Sequence, residues 1–131
     1  MSLLCPCCLF SINKTAEPGE NITNIILSCR APSSTNIRAV EWIRTDPRPE
    51  YVFVYRSRGH DRENQHESFK DRVELKDSEM KDGDVSLVLR NVKINDRGTY
   101  ECRVVQGKTH HWQRSPQLIS IVHLSVHQPG E

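Results

Sequence analysis

Several groups of residues in this chain of 131 residues carry side chains that could do chemistry. Cys5, Cys7 and Cys8 crowd the N-terminus as Cys-x-Cys-Cys. Structural zinc prefers paired cysteines two to four residues apart with a second ligand pair downstream, so this spacing argues against a zinc site. His110, His111 and Trp112 bring two imidazoles together. Adjacent side chains on an extended loop point apart and no third ligand accompanies them, so a solvated loop is expected. Asp77, Glu79, Asp82 and Asp84 carry oxygens that calcium would take, but the run lacks the spacing and closing glutamate of an EF-hand loop, and a charged turn is expected instead. The stretch 56–67, dense in charge and holding His60 and His66, reads the same way. There is no Gly-x-Ser-x-Gly elbow, phosphate-binding glycine loop or His-Glu-x-x-His helix, and scattered Ser, His and Asp make no triad. The sequence therefore predicts no catalytic residue, metal ligand, cofactor or small-molecule substrate.

Composition narrows what remains. Eighteen basic and seventeen acidic side chains leave a net charge of +1, so no global field draws in nucleic acid or an anionic membrane. Basic residues are not interleaved with aromatics as in nucleic-acid binders. The hydrophobic fraction is 36%, and no run approaches the roughly 20 apolar residues that cross a bilayer, so any anchor is expected outside this chain. The length suits one domain with one core.

The elements that must position these residues are strands. Short β-rich runs at 24–30, 38–44, 51–56, 72–75, 85–91, 99–105 and 118–126 alternate with Pro-, Gly- and Asp-rich turns, and none has the helical period. Seven or more short strands predict an all-β sandwich. Alternation places Val40 and Trp42 on one side of their strand and Glu41 and Ile43 on the other. Val85, Leu87 and Leu89 form a second inward set, Ile119, Ile121 and Leu124 mark a final apolar strand, and a two-sheet core follows from these sets. The parity of the strand carrying Tyr51, Phe53 and Tyr55 stays open.

The most specific signal is a set of residues at fixed relative positions: Cys29, then Trp42, then Asp96-Arg97-Gly98-Thr99-Tyr100-Glu101-Cys102. The run Asp-x-Gly-x-Tyr-x-Cys resembles the variable set of the immunoglobulin superfamily, and the resemblance covers nearly everything after residue 13. It implies a variable-type Greek-key β-sandwich with one inter-sheet disulfide, Cys29 to Cys102. That bridge would close a loop of roughly 70 residues, worth on the order of 4 kcal/mol in the chain-entropy model. Trp42 would pack on the bridge, Tyr100 would return its hydroxyl to the preceding turn, and Gly98 would permit the tight backbone there. The family's basal ion pair falls on Arg72 and Asp96. Residues 13–126 are then the domain, residues 1–12 a leader remnant or disordered N-terminus, and residues 127–131 a linker or stalk. An ordinary first strand with surface thiols is the alternative for the N-terminus.

Glu41-Trp42-Ile43-Arg44, the run 50–56, Phe69-Lys70-Asp71-Arg72-Val73 and Gly83-Asp84-Val85-Ser86-Leu87 look like butyrophilin-like and related T-cell co-signalling ligands, and also like myelin-oligodendrocyte-glycoprotein-like domains. No Gly-x-Gly opens the last strand, which separates the chain from rearranged antigen receptors. The resemblance implies an extracellular recognition domain on the outer side of the plasma membrane that binds a protein counter-receptor, for instance on a T cell. Homophilic cell adhesion through a homodimer is the second reading. The expected binding face is the sheet of the Trp42 strand, with Glu41, Ile43, Arg103 and Val105 outward; Ile43 and Val105 are apolar where water is expected. Trp112 is either a further anchor or a cover folded over the sheet edge. Asn13-Lys14-Thr15 and Asn21-Ile22-Thr23 fit the N-glycosylation pattern at Asn13 and Asn21.

Overall fold

The computed structural model describes residues 10–16, 24–33, 36–56, 59–107 and 116–126. Nine strands occur among them: β1 (Phe10–Ala16), β2 (Ile25–Leu27), β3 (Ile37–Asp46), β4 (Glu50–Arg56), β5 (Gly59–His60), β6 (Val73–Leu75), β7 (Leu87–Leu89), β8 (Gly98–Gln106) and β9 (Gln117–Val126). They form a six-stranded sheet in the order β1-β9-β8-β3-β4-β5 and a three-stranded sheet in the order β2-β7-β6. Every neighbouring pair is antiparallel except β1 with β9, which is parallel. β1 opens at Phe10, within the stretch expected to be a leader remnant. Cys5, Cys7, Cys8, Asn21, His110, His111, Trp112 and residues 127–131 lie outside the described residues.

The seven runs expected from alternation all carry strands, with shifted ends. The run 85–91 shortens to Leu87–Leu89 because its first residues bond elsewhere. The Val85 N–H donates to the Cys29 carbonyl at 3.0 Å, and the Ser86 hydroxyl accepts the Cys29 N–H at 3.0 Å. Side-chain bonds of this kind compete with a regular ladder. The unexpected β5 lies in the charged stretch after β4, where Gly59 at φ 111° takes a backbone angle that other residues resist.

Between the sheets lies one apolar core. Leu27, Val40, Trp42, Val52, Phe69, Val85, Leu87, Leu89, Tyr100, Cys102 and Val122 are all essentially inaccessible to water. Cys29 and Cys102 are joined across it, 73 residues apart in sequence. The buried Trp42 would carry an unsatisfied donor, but its indole N–H donates to the Val85 carbonyl of the opposing layer at 3.0 Å. Truncating such a buried aromatic typically costs about 3–5 kcal/mol.

The base of the sandwich is closed by buried charge. Asp96 is 3% exposed. The Arg72 guanidinium donates to both its carboxylate oxygens, and further to the Ser68 carbonyl at 2.7 Å and the Asn91 carbonyl at 3.0 Å. The Tyr100 hydroxyl donates to the Asp96 carbonyl, and burial pushes its pKa up, so it stays a donor. Gly98 sits at φ 147°, and a side chain there would collide with the Asp46 carbonyl and press on Arg44. Two independent constraints thus require glycine at this position.

Candidate binding face

The register of the central strands sets the outer face of the six-stranded sheet. Trp42 pairs with Cys102 on β8 and with Phe53 on β4, and all three belong to the core. Alternation sends their neighbours outward. Across β3 and β8 these are Ala39 opposite Val105, Glu41 opposite Arg103 and Ile43 opposite Glu101. β4 adds Val54 opposite Glu41 and Tyr51 opposite Ile43. β9 adds Leu118 opposite Arg103 and Ile121 opposite Glu101.

Two irregularities decide the rest. The register of β3 with β4 shifts between Trp42 and Ile43, leaving Val52 as an extra residue, so Val52 and Phe53 both bury while Tyr51 turns out at 40% exposure. This settles the open parity: Phe53 is core, Tyr55 packs against the core, and Tyr51 faces water. The register of β8 with β9 shifts between Cys102 and Arg103. Ile119 therefore packs against the core and Leu124 joins it, but Ile121, although in the final apolar strand, lies on the outer face, which corrects its expected place in the core.

Glu41 also departs from expectation. It occupies an outer position but is only 9% exposed. A residue in the middle of a central strand is flanked on both sides, here by the fully covered Val54 and by Arg103. Arg103 turns along its own strand, donating from Nε and Nη2 to Glu101 at 3.0 and 2.9 Å. That pair is partly exposed and contributes at most about 1 kcal/mol. Ile43, Val105, Leu118 and Ile121 are half-buried. The outer face is thus an apolar surface around one ion pair, with Tyr51 as its most accessible large side chain. At one end Thr99 and His123 share a hydrogen bond of 3.1 Å, and Asn13 of β1 stands in register with His123.

Tyr51, Leu118 and Ile121 were not among the outward residues expected. A signal for Ile121 exists: Ile119 and Ile121 share a parity that Leu124 breaks, and both cannot face one core without a bulge. The acidic turn behaves as a turn, with Asp77 accepting the N–H groups of Glu79 and Lys81 at 2.9 and 3.0 Å. Burial pushes the Asp84 carboxyl up, but hydrogen bonds from Ser86 together with Lys76 and Arg30 outweigh it and hold its pKa below the usual range. Among the described residues no grouping of three or more His, Cys, Asp or Glu could hold a metal.

Set beside known proteins, this geometry has a clear place. The chain matches the immunoglobulin V-set domain over residues 14–121 and belongs to that family. V-set domains are recognition modules and not enzymes. The chain is 31% identical over 97 residues to human butyrophilin subfamily 2 member A2, a match covering 72% of this chain and 18% of that protein. It therefore spans under a fifth of that relative's length. Among solved structures it resembles bovine butyrophilin at a TM-score of 0.67 and 25% identity, covering 93% of this chain and 56% of the other. The human B7-H4 IgV-like domain matches at 0.66 and 21% identity, over 88% and 92% of the two chains. A chain from the complex of ICOS with ICOS-L and an anti ICOS-L VNAR domain matches at 0.68 and 21%, over 92% and 55%. The last two likenesses show the shared fold. The family match and the butyrophilin relatives place the chain as a V-set domain of butyrophilin-like sequence.

Proposed function

We propose that this domain is the extracellular part of a butyrophilin-like cell-surface protein that binds a protein counter-receptor through the outer face of its six-stranded sheet, and so modulates T-cell signalling. One observation carries the reading. Ile43, Tyr51, Val105, Leu118 and Ile121 occupy outer positions of a sheet where polar side chains would serve a free surface better. Tyrosine with aliphatic neighbours and an arginine is the composition of a protein-binding surface. The V-set domains of butyrophilin and B7-like relatives are typically extracellular, and a disulfide suits that oxidising environment. Glycans at Asn13 and Asn21 fit the same setting, and Trp112 is a further anchor in this reading.

Two measurements test it together: analytical ultracentrifugation of the secreted domain over a wide concentration range, and staining of T cells with a labelled tetramer. A monomer that stains T cells supports a counter-receptor. A concentration-dependent dimer that stains no T cell contradicts it and points to homophilic adhesion.

A further inference from the structure

The base of the sandwich, away from the outer face, opens into a cleft of about 530 Å3. Its walls come from the Arg44 end of β3, the turn holding Pro47 and Arg48, the helical turn Glu67–Phe69 and the helical turn Ile94–Asp96. Arg44, Arg48, Arg72, Lys93 and Arg97 reach it, against the two carboxylates of Glu50 and Asp96. A local excess of three positive charges thus sits in a chain whose whole net charge is +1.

The two carboxylates do not neutralise the rim, because they are held from within. Arg44, whose side chain is 8% exposed, donates from Nε and Nη2 to Glu50 at 3.1 and 2.5 Å and from Nη1 to the Asn95 carbonyl at 2.5 Å. Arg72 holds Asp96 in the same manner. Arg48, Lys93 and Arg97 are left exposed around the opening. Arg48 comes no nearer than 4.0 Å to Glu50, with its side chain 79% exposed. Among the described residues Lys93 and Arg97 take part in no salt bridge.

We infer that this cleft binds a sulfated polysaccharide, its sulfates taken by Arg48, Lys93 and Arg97. Guanidinium groups pair with such oxyanions through parallel hydrogen bonds. The remaining lining is polar, with Asn95 and Ser68 able to meet sugar hydroxyls. Among the described residues Pro47 is the one apolar side chain lining it, so an acidic peptide would find no pocket for an anchoring side chain there. A flat anionic bilayer cannot enter a concave site.

The test is titration of the folded domain with a heparin-derived octasaccharide, and with the same octasaccharide desulfated, at low and at physiological ionic strength. Neutralising the rim with Arg48→Gln, Lys93→Gln and Arg97→Gln should weaken binding by about tenfold or more. A control with the same charge change at exposed sites elsewhere, Arg38→Gln, Lys76→Gln and Lys81→Gln, should leave affinity within about twofold. The desulfated sugar should not bind. All six side chains are exposed, so both triple variants should melt with the parent; if the rim triple melts early, single Lys93→Gln and Arg97→Gln variants, each expected to weaken binding, replace it. Equal losses in the two triples, no binding by the parent, or equal affinity for polyglutamate or phosphatidylserine vesicles would each overturn the inference.

Discussion

Arginine is used in opposite ways at the base of the sandwich and on its outer face. At the base, Arg44 is buried beside Glu50 and Arg72 mostly buried beside Asp96, and backbone carbonyls take up donors the carboxylates leave over. On the outer face, Arg103 lies half-exposed along its strand beside Glu101, in the midst of apolar side chains. A buried ion pair is tolerable only when every donor is met, so the base holds one arrangement and resists change. A face of half-buried aliphatics and one partly exposed ion pair is not tied to one arrangement in that way. The base is therefore built to hold the frame, and the proposed binding face carries less of that duty.

The frame should fail first and most severely. Replacing Cys29 or Cys102 with alanine removes a cross-link spanning 73 residues and should cost about 4 kcal/mol, read as a fall in the chemical denaturation midpoint and in secreted yield. Normal stability in both variants would show that the bridge does not hold the sheets. Asp96→Ala strands the Arg72 guanidinium in a mostly buried site and should cost about 3 kcal/mol by the same measurement. A loss no larger than that of an exposed pair would erase the distinction between base and face.

On the face the expectation reverses. Tyr51→Ser should change unfolding free energy by less than about 0.5 kcal/mol, since Tyr51 is 40% exposed and outside the core. A loss of several kcal/mol would mean that the face is structural.

The smallest effect concerns pH. Burial, then nearby Arg62, lowers the His60 pKa below 6.5, with Asp61 opposing, while its ring stacks 4.5 Å from Phe53. A histidine whose folded pKa is depressed binds fewer protons folded than unfolded. Its contribution is therefore fully present above pH 6.5 and is lost as pH falls through 6.5 toward the folded value. His60→Phe should flatten the dependence of melting temperature on pH in this window, and an unchanged slope would remove His60 from that role.

Much of the frame was legible in sequence because its residue types allow few alternatives. The spacing of Cys29, Trp42 and the run from Asp96 to Cys102 carries the sandwich, and two-residue alternation located seven strands. The face was harder to read, because bulges erase parity. The extra residues Val52 and Ile119 reverse the phase of β4 and β9, which decides the open direction of Tyr51 and moves Ile121 from the expected core to the outer face. Glu41 looked exposed because alternation reports direction and not crowding by Val54 and Arg103. The Arg44–Glu50 pair left a trace that can be read in retrospect: Arg44 shares the inward parity of Val40 and Trp42, and a charge at an inward position demands a buried partner.

The most direct measurement compares tetramers of the parent domain with those of an Ile43→Arg and Val105→Arg double variant, matched for melting temperature, in staining T cells. Loss of staining with an unchanged melting curve is the predicted result, because added charge on the outer face blocks a dry contact without reaching the core. Equal staining by parent and variant would contradict recognition through this face.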